Sequence, residues 1–167
     1  MQSALGSQCV ALTKQGLPLI IAHRGASRVA PEGTAAAIDA AIRAGAPMVE
    51  LDVQMTRDGR LVIFHDERLE RTTNGRGLLR QTPYATLARL DAGTWFHPRF
   101  ADARVLLVSQ VFQLVPIRMA MNLELKPTPR RLPILERLLR LVHRFGVSRR
   151  VLLSSSDPRW LSLLRST

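Results

Sequence analysis

Four short segments of the sequence pair ionisable side chains: His23-Arg24, Glu50-x-Asp52, His65-Asp66 and Glu124-x-Lys126. A spacing of two puts both side chains on one face of a β-strand. Glu50 and Asp52 therefore point one way, as do Glu124 and Lys126. Neighbouring strands lie about 5 Å apart, close enough for carboxylates on two of them to hold one ion. Three carboxylates with no cysteine beside them make an all-oxygen donor set, suited to Mg²⁺ or Ca²⁺ rather than zinc. Each pair alone has a plainer reading: an exposed strand edge, a hydrogen-bonded loop histidine, a lysine at a solvated strand end. The apolar residues around Glu50 and Glu124 oppose that reading, because a carboxylate in a buried strand is costly unless paired or metal-bound.

The elements that must carry these groups follow from the hydrophobic pattern. Leu17-Pro-Leu-Ile-Ile-Ala22 reads as a buried strand that stops at His23. Thr34 can cap a helix that runs to Gly45 with Ile38, Ala41 and Ile42 on one face. Met48–Val53 alternates as a second strand, Asp58-Gly59 is a turn, and Arg60–Phe64 is a third strand ending at His65-Asp66. Residues 67–104 are polar and rich in Gly and Thr, with a short helical stretch near Pro83 to Leu90. Such length exceeds a plain connection and marks a functional excursion. A helix at about 108–115 leads to a fourth strand, Met119–Leu125. An amphipathic helix through Leu132, Leu135, Leu138, Leu139 and Val142 stops at Gly146, Val151–Ser155 is a fifth strand, and Asp157-Pro158 opens a last helix. Strands alternating with helices predict an α/β fold with a parallel sheet, whose chemistry gathers at the carboxyl ends of the strands.

Composition narrows the class. With 167 residues and 46% apolar content the chain is one globular domain, and no run of about 18 apolar residues predicts stable membrane insertion. One cysteine, Cys9, cannot form an internal disulfide, and the first sixteen residues carry no signal-peptide pattern, so a cytoplasmic location is expected. The charge of +11 comes mainly from arginine, spread from Arg24 to Arg165 without a tract longer than a pair. It reads as a solvated surface, and no nucleic acid partner is expected. His97 and His143 read as a loop and a surface residue, Trp95 and Phe96 as local packing.

The ordered set His23-Arg24-Gly25-Ala26, Pro31-Glu32-Gly33-Thr34, Glu50-Leu-Asp52-Val53, Asp58-Gly59, His65-Asp66, Leu69, Arg71-Thr72-Thr73 and Glu124-Leu-Lys126-Pro127 resembles the glycerophosphodiester phosphodiesterase family. Leu90-Asp-Ala-Gly-Thr-Trp95-Phe96 resembles its cytoplasmic bacterial branch. The resemblance implies a TIM (β/α)8 barrel with an inserted segment, here about 67–104. It also implies hydrolysis of glycerophosphodiesters, such as glycerophosphocholine, to glycerol 3-phosphate and an alcohol. By motif position Glu50, Asp52 and Glu124 would bind one divalent cation. His23 and His65 would be the catalytic acid–base pair, and Arg24 and Lys126 would contact the substrate phosphate. Those roles suit the chemistry: a phosphodiester anion repels nucleophiles until its charge is offset, and two imidazoles near neutrality can exchange the protons. Which imidazole is acid, and whether water or the glycerol hydroxyl attacks first, stays open.

The sequence departs from the family in three ways. Gly33 stands where asparagine is usual, and Ser156 where an aromatic is usual. A complete barrel takes about 250 residues, whereas this chain supplies about five strands. The expectation is an N-terminal extension over 1–16 and a truncated, incomplete barrel over 17–167, with its C-terminal strands missing. An open barrel edge offers a route to self-association. Alternatives to a working hydrolase are a non-catalytic remnant that binds metal, phosphate or a protein partner, and a phospholipase-like phosphodiesterase.

Overall fold

A computed structural model describes residues 18–165. The extension expected over 1–16, Cys9, and the proposed strand start at Leu17 lie outside the described residues. The chain runs β1 (Ile21–His23), α1 (Ala35–Arg43), β2 (Met48–Met55), β3 (Leu61–Ile63), α2 (Tyr84–Leu87), α3 (Val108–Leu114), β4 (Ala120–Leu125), α4 (Arg131–Arg144), β5 (Val151–Ser154) and α5 (Pro158–Arg165).

The five strands form one sheet, in which β1-β2-β4-β5 are parallel neighbours in that order and β3 pairs with β2 off this path. β3 departs from the expected parallel arrangement: it pairs antiparallel with the second half of β2, Val53 opposite Ile63 and Met55 opposite Leu61. The cause is local. The Asp58-Gly59 turn reverses the chain at once, with Thr56 Oγ1 donating to Asp58 Oδ1 at 2.6 Å, and a tight turn joins antiparallel neighbours only. β1 pairs with residues 48–50 of β2 and β3 with 53–55, while β4 spans 48–53 on the other edge. β2 is thus the central strand, buried along almost its whole length. β1 is not the buried strand expected, since Ile20 and Ile21 are exposed, as suits a strand paired on one side only.

Val49, Leu51 and Val53 of β2 and Met121, Leu123 and Leu125 of β4 turn toward the helices. There they meet Ile38 of α1, Val111 and Phe112 of α3, and Leu135 and Leu138 of α4. The alternate residues of the two strands, Glu50, Asp52 and Gln54 with Asn122 and Glu124, take the opposite face. Thr34 caps α1 as expected, its hydroxyl accepting from Ala37 N. Fully buried Trp160 of α5 donates from Nε1 to Lys126 O at 3.2 Å, which ties α5 to the carboxyl end of β4. Residues within 67–104 add a second small core, with Leu69, Leu79 and Leu87 packed against Val62 and Phe64. Among the described residues no helix is long and apolar enough to cross a membrane.

Candidate metal and phosphate site

The parallel register sets the site. Glu50 of β2 lies opposite His23 of β1, and Asp52 lies opposite Glu124 of β4. Carboxylate oxygens of Glu50, Asp52 and Glu124 come within 4.8 Å of one another. Glu50 and Asp52 are 7% and 3% exposed, and Glu124 is half-buried. Burial, followed by the neighbouring Asp52 charge, pushes the Glu50 carboxyl up from 4.5 to about 7.

Cations and histidines surround this cluster. Arg24 has the left-handed φ of 54°, a conformation costly for a side chain bearing Cβ and one that its contacts hold in place. Its backbone N donates to Glu50 Oε2 at 2.9 Å, and its carbonyl accepts from Gly33 N at 2.9 Å. Its guanidinium donates to Glu32 Oε1 at 2.9 Å and approaches Asp52 Oδ2 at 3.4 Å. Lys126 Nζ donates to Glu124 Oε1 at 3.2 Å and lies 2.7 Å from Asp52 Oδ1, a charge contact without hydrogen-bond alignment. His23 Nε2 stands 3.8 Å from Glu50 Oε2 with its ring largely exposed. His65 lines a cavity of about 20 Å³ together with Arg24, Glu32, Thr34, Asp52 and Thr72.

The three described buried side-chain atoms without a hydrogen-bond partner, Arg24 Nε, Glu50 Oε1 and Asp52 Oδ1, all belong to this cluster. Buried polar atoms are nearly always satisfied. Asp52 Oδ1 has the Lys126 ammonium beside it at 2.7 Å, whereas Glu50 Oε1 has no hydrogen-bond donor among the described residues. A buried carboxylate oxygen left so, beside two further carboxylates, fits a cation that would be its partner. The donor set is all oxygen, which suits a hard divalent ion.

All seven residues picked from the sequence therefore cluster: His23 and Arg24 at the carboxyl end of β1, Glu50 and Asp52 midway along β2, Glu124 and Lys126 at the carboxyl end of β4, and His65 in the turn after β3. Three further residues entered the sequence reading only as parts of motifs. Asp66 Oδ1 lies 2.6 Å from His65 Nδ1 and accepts from Arg71 Nη2 at 2.8 Å. Arg71 also donates to Glu32 at 2.9 and 2.7 Å, and Glu32 holds Arg24. An unbroken polar chain thus links His65 to Arg24 across 41 positions of sequence. These bonds hold Asp66 down near 2, with the Arg71 hydrogen bond the largest stabilising contact. Gly33 has φ of 68°, a region that asparagine tolerates better than most residues, so the exchange of asparagine for glycine preserves the turn. His97 and His143 are exposed, and Ser156 lies on the surface.

The chain belongs to the glycerophosphoryl diester phosphodiesterase family, whose model matches residues 23–167. Among curated proteins it is 40% identical over 139 residues to the glycerophosphodiester phosphodiesterase of Caldanaerobacter subterraneus, a match that covers 82% of this chain and 57% of that one. It is 41% identical over 147 residues to the enzyme of that name from Bacillus altitudinis, covering 86% and 60%. Among solved structures, a phosphodiesterase of Oleispira antarctica in complex with the product sn-glycerol-3-phosphate superposes with a TM-score of 0.85 at 34% identity, covering 92% of this chain and 64% of that one. The glycerophosphodiester phosphodiesterase of Agrobacterium tumefaciens gives 0.81 at 36%, covering 90% and 63%. The fold is that of an unclosed part of the family's TIM barrel. The chain spans a little over half the length of the curated relatives it matches.

Proposed function

We propose that this chain carries the metal-dependent hydrolysis of glycerophosphodiesters to glycerol 3-phosphate and an alcohol. The observation that carries the reading is the convergence of Glu50, Asp52 and Glu124, with the buried Glu50 Oε1 left without a hydrogen-bond partner. Glu50, Asp52 and Glu124 would hold one Mg²⁺ or Ca²⁺, which supplies charge neutralisation at the phosphoryl oxygens when bound. Arg24 and Lys126 bind the phosphate. The Arg24 fork can grip two oxygens at once, and Lys126 adds a point charge beside it.

His23 and His65 move the protons. One imidazole takes the proton of the attacking hydroxyl as the new P–O bond forms, and the other gives a proton to the departing alkoxide as the old bond breaks. The net balance places the oxygen of one water on phosphorus and its protons between phosphate and alcohol. Asp66 orients His65: an Nδ1–H donated to the carboxylate leaves Nε2 to face substrate. The product named in the Oleispira complex supports a small-molecule glycerophosphodiester as substrate. The inserted segment about 67–104 would wall one side of the site through Glu32–Arg71, and the likeness to the cytoplasmic branch supports a cytoplasmic setting.

The test is release of glycerol 3-phosphate from glycerophosphocholine or glycerophosphoethanolamine with Mg²⁺ or Ca²⁺, with and without chelator. Release that chelator abolishes, and that His23→Ala and His65→Ala each reduce strongly, is expected. A folded chain with no release above those variants overturns the proposal.

A further inference from the structure

The ladder between β2 and β3 ends at Val53–Ile63, and Phe64 N adds one last backbone bond to Asp52 O at 2.9 Å. Beyond it the chain turns to present His65 and Asp66. Three successive carbonyls of that turn, those of Phe64, His65 and Asp66, accept from a single atom, Gln54 Nε2, at 2.9, 3.0 and 2.8 Å. A carboxamide nitrogen carries two protons, so at least one is shared between carbonyls. The amide oxygen in the same place would face three carbonyl oxygens, so these contacts fix which way the carboxamide points. Gln54 follows Asp52 by two positions on β2, and so the strand that carries Glu50 and Asp52 also clamps the turn that carries His65.

We propose that Gln54 is a positioning residue that aims His65. Its side chain supplies the donors that the sheet can no longer provide, and so holds the 64–66 turn with the imidazole facing the cavity shared with Arg24 and Asp52. Asp66, tied to the same clamp by its carbonyl, keeps its carboxylate on His65 Nδ1. The inference rests on the proposed hydrolysis for its catalytic meaning, while the clamp itself has its own readout. Misplacing a reacting group by about 1 Å can cost about 10²-fold in rate.

Two substitutions separate a donor role from packing. Gln54→Met keeps the length and bulk but has no N–H. Gln54→Lys fits less well but brings an ammonium with three protons for three carbonyls. With glycerophosphocholine and Mg²⁺, Gln54→Met is expected to lower kcat by about 10- to 100-fold with KM little changed. Gln54→Lys is expected to retain more of kcat than Gln54→Met. Imidazole NMR of the four histidines reads the geometry without turnover. Gln54→Met should move the His65 resonances and leave those of His97 and His143 in place, and Gln54→Lys should bring His65 back toward its native position. A native-like kcat and His65 spectrum in Gln54→Met overturns the inference, as does a Gln54→Lys chain that is worse than Gln54→Met in both. If Gln54→Met does not fold, the His65 spectrum of Gln54→Lys decides: native-like supports the clamp, displaced refutes it. If the native chain releases no product while the His65 resonances still respond as described, the hydrolysis fails and the clamp stands.

Discussion

Glu50→Gln is expected to make the cation-free protein more stable while removing its response to cations. The buried Glu50 carboxyl titrates near 7 instead of 4.5 because burial and the Asp52 charge oppose its ionisation. A tenfold change in proton affinity is worth about 1.4 kcal/mol, so keeping this group ionised at pH 8 costs the fold about 3 kcal/mol. The sign follows from linkage. A folded-state value above the unfolded one means that the folded chain binds the proton more tightly. The favourable contribution is therefore present below pH 4.5 and is lost as pH rises to about 7. Gln keeps an oxygen to accept from Arg24 N, removes the charge, and offers a donor to Asp52. At pH 8 without divalent ions, Glu50→Gln should raise Tm by several degrees and up to about 10 °C, given roughly 2–4 °C per kcal/mol for a chain of this size. At pH 5 the gain should shrink to about 1 kcal/mol or less. Adding millimolar Mg²⁺ or Ca²⁺ should raise Tm of the native chain and leave the variant unmoved. Differential scanning fluorimetry at the two pH values reads all of this. A variant less stable than the native chain at pH 8 without cations would refute the reasoning.

Three further outcomes follow from the same contacts. Cation affinity, read by calorimetric titration, should weaken about tenfold for each pH unit below 7, because Glu50 must shed its proton to bind. A flat affinity between pH 7 and 5.5 would contradict that. Asp66→Asn should lower kcat by about 10- to 100-fold with little change in KM in steady-state assays, since it disturbs His65 orientation while leaving the cation ligands in place. Trp160→Ala should cost about 3–5 kcal/mol in urea unfolding, because it empties a fully buried site and frees Lys126 O.

Much of the site was legible because strand periodicity and pairing share one rule. Residues two apart on a strand face one way, so Glu50-x-Asp52 and Glu124-x-Lys126 announced their own convergence once their strands became neighbours. The Thr34 cap was equally local and legible, and of the α4 stripe Leu135, Leu138 and Val142 are buried as expected while Leu132 and Leu139 are exposed and Ile134 takes a core place instead. β3 breaks the parallel pattern that strand–helix alternation predicts, because the Asp58-Gly59 turn leaves no room for a crossover between β2 and β3. The Glu32–Arg71 bridge spans 39 positions and depends on how the 67–104 segment folds back, which no local pattern encodes. That segment hides its core as well, since Leu69, Leu79 and Leu87 follow neither a helical nor a strand period. The Gln54 clamp carries no sequence signal for a different reason: its partners are backbone carbonyls, and a carbonyl leaves no trace in the identity of residues 64–66.

The most direct measurement is anomalous diffraction from a crystal of this chain soaked in Mn²⁺, an ion that takes the same oxygen ligands as Mg²⁺ and Ca²⁺. One strong peak bonded to carboxylate oxygens of Glu50, Asp52 and Glu124, with the orphaned Glu50 Oε1 now a ligand, is the predicted result. A peak confined to other residues, or none at these three acids, would contradict the account.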